Sequence, residues 1–279
     1  MNKRLTDKRN TWCPGCGNFG ILNAVQKAID LLVESSVSED KLVMTSGIGC
    51  HGKIFDYLKL SGFYSLHGRA MSTAQGIKIG NPDLNVIMFG GDGDSLGEGL
   101  EHTLFAAKRN EDITLILHNN GVYGLTTGQF SPLSEKGYKG PSSPFGNIEQ
   151  PFDPLPLILS AGAGFVARSY TTKPEHLALL IKEAVLHKGF SFIEVLQPCV
   201  SFNNTYTVYN KLVKELDGSD YTFEDAYRLV SSKDPIYIGR FFKEEKPVFS
   251  DTIIPENYRD SDVNKIELRK KKVQDFLAK

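Results

Sequence analysis

The stretch NVIMFGGDGDSLGEGLEHTLFAAKRNEDITLILHNNGVYGL, residues 85–125, decides the fold. Val86 to Phe89 is a short apolar run with no polar face, as expected of a strand buried on both sides. The chain then breaks into Gly90-Gly91-Asp92-Gly93-Asp94 and enters a predicted helix with Leu96, Leu100, Leu104 and Ala107 on one face. A second apolar run, Ile113 to Leu117, ends in Asn119-Asn120-Gly121. Two parallel strands joined by a helix place both polar turns at the carboxyl edge of the sheet, where open α/β sheets bind ligands. Glycines at that edge let backbone N–H groups approach a phosphate at a helix N-terminus. Asp92 and the side-chain oxygen of Asn120 are hard ligands suited to Mg²⁺, which prefers octahedral oxygen coordination and bridges to phosphates.

Upstream, Ile21, Leu22, Val25, Ala28, Ile29 and Leu32 recur at helical spacing. A strand is predicted over Lys41 to Ser46, followed by the turn Gly47 to Lys53, a helix over Ile54 to Leu60 and a strand over Phe63 to Leu66 that leads into His67-Gly68-Arg69. The next helix, Ala70 to Ile79, stops at Gly80-Asn81-Pro82. Downstream, Thr126 to Pro156 is rich in Pro, Gly and Ser and reads as an active-site or interface loop, being too long for a simple connector. Helix Pro156–Ala161, strand Phe165–Ser169, helix Pro174–Lys188 and strand Phe190–Leu196 follow, the last ending at Gln197-Pro198-Cys199. This alternation predicts an α/β fold, a mostly parallel sheet with helices on both faces. The organisation expected is a cysteine-containing arm (1–17), an α/β domain (18–200) and a C-terminal extension (201–279). The extension is rich in Tyr, Lys and Glu, ends in a predicted exposed helix from Ser261 to Leu277, and reads as a segment packed on a partner.

At 279 residues the chain has ample length for a buried core, and 41% hydrophobic with 23% charged residues is ordinary for a soluble globular protein. A net charge of -1 gives no sign of nucleic acid or an anionic membrane as partner. The N-terminus lacks the apolar run of a signal peptide and no segment has the length of a membrane span, so a cytoplasmic location is expected. Disulfides are then not expected among the four cysteines, Cys13, Cys16, Cys50 and Cys199. Cys13-x-x-Cys16 alone fits a redox dithiol, half a zinc site or part of an iron–sulfur site. No predicted strand precedes Cys13, which argues against the redox dithiol. A free cysteine is commonly a small buried hydrophobe, but Cys50 and Cys199 each fall in the turn after a predicted strand, at the same edge as Asp92 and Asn120. Four thiolates there suit either a structural Zn²⁺ or a [4Fe–4S] cluster acting as an electron acceptor.

Gly91-Asp92-Gly93, followed after twenty-five residues by Asn119-Asn120, resembles the fingerprint of thiamine diphosphate-dependent enzymes. The wider set is W-C-P-G-C-G at 12–17, G-I-G-C-H-G-K at 47–53, H-G-R-A at 67–70, G-G-D-G-D at 90–94, Y-G-L-T-T-G-Q at 123–129 and Q-P-C at 197–199. Over roughly residues 10 to 205 it is similar to the beta subunit of 2-oxoacid:ferredoxin oxidoreductases. That resemblance implies a heteromeric enzyme that oxidatively decarboxylates a 2-oxoacid to an acyl-CoA and passes electrons to ferredoxin. It assigns Cys13, Cys16, Cys50 and Cys199 to a [4Fe–4S] cluster, and Asp92, Asn120 and the carbonyl of Val122 to Mg²⁺. Thiamine diphosphate would be held by Ile48, Gly49, Cys50, His51, His67, Gly91, Gly93, Asp94, Gly124 and Leu125. The family often has a small residue where this chain has His51.

Three side chains carry further expectations. Lys53 could pair with a substrate carboxylate or be a solvated lysine at a helix start. His67 could offset the diphosphate charge or be a core histidine. Asp94 could accept from the cofactor or cap the following helix. Thiamine diphosphate enzymes take a glutamate from a second, pyrimidine-binding domain, which this chain lacks; an alpha-type partner subunit is therefore expected, with the 126–156 loop and the tail as candidate interfaces. Two rival readings remain: a zinc-stapled nucleotide-binding subunit without turnover, and a non-oxidative thiamine diphosphate decarboxylase or transketolase-type half subunit.

Overall fold

Strands that are apolar on both faces need cover on both faces, and here they occupy the middle of an eight-stranded sheet. The structure, a computed structural model, describes residues 4–253, 270 and 274–277. Its first half comprises α1 (Asn18–Glu34), β1 (Leu42–Ser46), α2 (Ile54–Tyr57), β2 (Ser61–Tyr64), α3 (Ala70–Gly80), β3 (Asn85–Gly91), α4 (Leu100–Lys108) and β4 (Ile113–Asn119). A two-stranded ribbon, β5 (Val122–Tyr123) and β6 (Gln129–Phe130), stands apart from the sheet. Then come α5 (Pro154–Ala161), β7 (Phe165–Tyr170), α6 (Pro174–Leu186), β8 (Ser191–Leu196), α7 (Tyr206–Leu212), β9 (Val213–Glu215), α8 (Phe223–Val230), β10 (Ile236–Lys243) and α9 (Phe249–Ile253). The strand order is β2-β1-β3-β4-β8-β7-β10-β9. All neighbours are parallel except β10, which runs antiparallel to β7.

Alternation along the strands sorts their side chains between two cores. Ile87, Phe89, Ile116, Ile193 and Val195 meet α1 and α6 on one face through Val25, Ile29, Leu32 and Ile181. Met88, Leu115, Leu117 and Phe192 meet α3, α4, α5 and α8 on the other through Ala74, Ala107, Ile158 and Val230. The expected mostly parallel α/β architecture is the one observed. Because β1, β2, β3, β4 and β8 point the same way, the turns that follow them all open at one edge of the sheet.

Three local differences from the sequence reading have physical causes. The helix expected over Ile54–Leu60 is a 3₁₀ turn, His51–Lys53, followed by the single turn of α2, because Leu58 leaves to bridge with Leu5. The helix expected after Asp94 is interrupted: a widened, π-type turn runs over Gly93–Glu98 and α4 begins only at Leu100. Gly99 marks the break, since a Cβ there would lie 2.7 Å from the Gly68 carbonyl; such widened turns recur at functional sites. The tail differs most. Ala226, Val230 and Phe241 are fully buried in the second core, so residues 201–243 complete the chain's own sheet. The exposed helix expected over Ser261–Leu277 lies outside the described residues except for Lys270 and 274–277.

Phe241→Ala is expected to destabilise the chain by about 3–5 kcal/mol, the usual cost of deleting a buried ring. Denaturant unfolding measures this, and an unchanged midpoint would mean that β10 contributes nothing to the fold.

Candidate active site

The turns at the carboxyl edge enclose a cavity of about 500 Å³. The β1 turn contributes Ile48, Gly49, Cys50 and His51 to its lining, and the turn after β2 contributes His67. Gly91, Asp92, Gly93 and Asp94 come from the end of β3, and Asn120, Val122, Gly124 and Leu125 from the turn after β4. All ten residues expected to hold the cofactor therefore face one space, together with the three expected to hold Mg²⁺.

The two acids of the β3 turn are satisfied differently. Asp92 is 2% exposed and accepts a 2.5 Å hydrogen bond from Ser131 Oγ. Burial pushes its carboxyl up to about 6, against the opposing pull of Ser131 and backbone N–H groups. Beside it, Asn120 Oδ1 accepts the Val122 N–H at 3.0 Å, and the Asn120 carbonyl accepts from Asn203 Nδ2 at 2.9 Å. A buried carboxylate with a raised pKa next to an amide oxygen is a donor set that fits a hard divalent cation. Asp94 is also buried, but its Oδ1 accepts from Ile48 N–H at 3.1 Å and Gly68 N–H at 2.8 Å. His51 Nε2 stands 3.4 Å from Asp94 Oδ2, an ion-pair distance without hydrogen-bond alignment, and His67 Nε2 lies 4.0 Å from Oδ1. Burial alone would raise the Asp94 carboxyl; His51 and the two amides outweigh it and hold it below the ordinary value. Its partners lie in other turns, so it does not cap the turn that follows it.

Three contributors escaped the sequence reading. Ser131 and Ser134, in the 126–156 loop, brace the site: Ser134 Oγ donates to the Gly121 carbonyl at 2.5 Å and accepts from Ser131 N–H. Their Ser-Pro-x-Ser spacing is the signature of a hydroxyl-capped turn. His118, at the end of β4, is 1% exposed and holds its Nδ1 2.8 Å from Asn18 Oδ1. Its Nε2 has no hydrogen-bond partner among the described residues, although the side chain lines the cavity. Burial keeps this imidazole well below its ordinary pKa, hence neutral at pH 7. Within a strand of leucines and isoleucines, only its polarity marked it.

A second, small cavity of about 40 Å³ adjoins the first and is lined by all four cysteines. Cys50, Asn120 and Gly124 line both spaces. A Cβ placed on Gly124 would lie 3.6 Å from Cys50 Sγ and 3.7 Å from Cys199 Sγ, so the wall between the cavities is one residue thick. The N-terminal arm reaches this place through Gly17 N–H, bonded to the Pro198 carbonyl at 3.2 Å, and through Trp12 Nε1, which donates to the Cys50 carbonyl at 2.6 Å. Ser201 Oγ donates to Cys13 Sγ at 3.4 Å and Gln197 Nε2 to Cys16 Sγ at 3.7 Å. Burial raises the Cys16 thiol to about 11 and also raises Cys50, the latter opposed by Lys53. Lys53 lies on this cysteine side, its Nζ 3.4 Å from the Thr11 carbonyl, and does not line the larger cavity.

Comparison with known proteins shows the family and the fold of this chain. The family model of the thiamine pyrophosphate enzyme C-terminal TPP-binding domain matches residues 47–195, and that of the C-terminal region of the pyruvate ferredoxin oxidoreductase beta chain matches residues 199–257. The chain is 51% identical over 212 residues to a 2-oxoacid:ferredoxin oxidoreductase subunit beta of Saccharolobus solfataricus, covering 75% of this chain and 68% of that protein. It is 36% identical to a 2-oxoglutarate synthase subunit KorB of Methanothermobacter marburgensis over 87% of this chain and 86% of the other. A solved 2-oxoglutarate:ferredoxin oxidoreductase from Magnetococcus marinus, with 2-oxoglutarate, coenzyme A and succinyl-CoA bound, superposes with a TM-score of 0.87 at 33% identity, over 97% of this chain and 94% of that one.

An acid whose pKa is raised by folding stabilises the fold only while protonated. In chelator, stability should therefore fall as pH rises from about 4 to about 6, the range between the ordinary and the raised value of Asp92. Asp92→Asn should lack that contribution and stabilise the chain at pH 7 by roughly 2–3 kcal/mol, from a shift of about two units. Unfolding curves of both proteins across pH measure this, and a stability difference between them that stays constant from about pH 4 to about pH 7 would contradict the burial argument.

Proposed function

We propose how the site works from one premise: the chain belongs to the beta subunits of the 2-oxoacid:ferredoxin oxidoreductases. It is accordingly the thiamine diphosphate-binding subunit of an oxidoreductase that needs other subunits. Our reading of the reaction is the CoA-dependent oxidative decarboxylation of a 2-oxoacid, of the pyruvate or 2-oxoglutarate type, to an acyl-CoA and CO₂, with ferredoxin as electron acceptor. Thiamine diphosphate would supply the carbanion chemistry and a [4Fe–4S] cluster one-electron acceptance. The residues do the rest. Asp92, Asn120 and the Val122 carbonyl would hold Mg²⁺ against the diphosphate, with Ser131 and Ser134 fixing the turn that presents them. His67, on the cavity wall, is placed to offset diphosphate charge. Lys53 remains our candidate for a substrate carboxylate, from the cysteine side of Cys50, where its Nζ donates to the Thr11 carbonyl. Cys13, Cys16, Cys50 and Cys199 would ligate the cluster.

The single observation that supports this reading is the shared wall: Cys50, Asn120 and Gly124 face both cavities, so a cluster held by the four thiols would lie beside the cofactor cavity. The partner would be an alpha-type subunit supplying the pyrimidine-binding domain. Phe145 and Ile148, 98% and 85% exposed in the 126–156 loop, support that loop as its contact. No described helix is long and apolar enough to cross a membrane, and a cytoplasmic location fits this reading.

Anaerobic purification with the alpha-type partner tests the proposal. A brown complex that reduces methyl viologen with CoA and a 2-oxoacid is expected, the substrate panel naming the preferred acid. Cys50→Ser should bleach the visible band, and the isolated chain should show little turnover. A colourless, zinc-loaded complex would defeat the cluster assignment. Lys53→Leu should raise KM for dicarboxylic 2-oxoacids more than for pyruvate; unchanged values across the panel would remove Lys53 from substrate recognition.

A further inference from the structure

We infer that Asp94 is a positioning residue that ties the cysteine turn to the cofactor turn, setting Cys50 relative to the diphosphate-binding cavity. The inference rests on the cofactor and cluster assignments proposed above. Asp94 stands two residues after Asp92, and its carboxylate is turned toward the β1 turn. Oδ1 accepts the Ile48 N–H at 3.1 Å, two residues before Cys50, and Oδ2 faces His51 Nε2 at 3.4 Å, one residue after it. The thiol is thus bracketed by two contacts to one buried carboxylate. The second amide on Oδ1, Gly68 N–H at 2.8 Å, brings the His67 turn into the same tie. Gly47 completes the fit, because a Cβ there would overlap the Asp94 carboxylate.

This geometry separates positioning from direct ligation. The Ile48 and Gly68 amides, which could otherwise donate to a phosphate, are already engaged by Asp94. Charge-assisted bonds to backbone amides are short and directional, and here they cross from β3 to β1 and from β3 to the turn after β2. A displacement of the β3 turn therefore moves Ile48 and, with it, the wall that both cavities share. The role is mechanical, so it holds whether or not thiamine diphosphate is bound.

The chain carries its own reporter: Trp12, its one tryptophan, donates from Nε1 to the Cys50 carbonyl. Its emission is read on the full-length chain. The EPR spectrum of the reduced cluster and calorimetric binding of thiamine diphosphate with Mg²⁺ are read on the assembled complex. For Asp94→Ala we expect an altered EPR line shape and shifted Trp12 emission in the absence of thiamine diphosphate, together with cofactor affinity weakened about 10–100-fold, as for other supporting groups. Asp94→Asn keeps an oxygen for both amides but loses the carboxylate oxygen facing His51, and should fall between wild type and Asp94→Ala in all three. Gly47→Ala, which displaces the carboxylate without removing it, should behave like Asp94→Ala and substitutes for it if that variant does not assemble. The inference is overturned if Asp94→Ala loses cofactor affinity while its EPR spectrum and emission remain wild type, since Asp94 would then be a direct cofactor contact. It is equally overturned if Asp94→Asn is as impaired as Asp94→Ala, since charge and not the tie would matter. A wild-type complex without iron would instead overturn the cluster assignment.

Discussion

Two carboxylates two residues apart are buried at the end of β3, and a buried charge is tolerated only when something nearby compensates it. The site is organised by the unequal way the chain meets that demand. Asp94 is compensated from within, by two amides and a histidine drawn from neighbouring turns. Asp92 receives much less, chiefly one serine hydroxyl, and its carboxyl stays near a pKa of about 6. One acid therefore fixes the architecture while the other keeps unmet capacity for a cation.

The parts of the molecule readable in the sequence are those governed by local physics. Val86–Phe89 and Ile113–Leu117 lack a polar face, so their burial between two helical layers follows directly, and the parallel order sends Asp92, Asn120, Cys50 and Cys199 to one edge. The unread parts depend on contacts distant along the chain. Asp94 meets Ile48 across 46 positions and His118 meets Asn18 across 100, and neither pair has a local signature. The interruption at Gly99 arises from close approach to Gly68, a tertiary event that the even spacing of Leu96, Leu100 and Leu104 conceals. In the tail, β10 is short of a clean alternation and carries an irregularity between Arg240 and Phe242, so its place beside β7 was hidden by composition.

The tail's return to the sheet also explains a feature of β7 and β8. Arg168 and Glu194 form a buried ion pair at 2.6 Å, with Glu194 Oε1 accepting from Asn119 Nδ2 at 2.7 Å. Such pairs are costly to break and contribute little net stability when intact. Here the pair links β7 and β8 to Asn119, directly beside Asn120 on the cavity wall. The two matched family segments meet between residues 195 and 199, at the end of β8. Cys199 sits on that junction, so the outer strands and the sulfur pocket share a single seam.

The spacing of the four thiols has a consequence for biosynthesis. They come from positions 13, 16, 50 and 199, and Cys199 reaches its neighbours only when β8 has docked beside β4 and Gly17 has met Pro198. Contacts so distant along the chain form late, because loop-closure entropy must be overcome first. A nascent chain leaving the ribosome offers at most three of the four sulfurs until nearly two hundred residues have emerged. Any metal centre held by all four is consequently loaded only after β8 has docked beside β4, and its presence reports that this part of the sheet has formed.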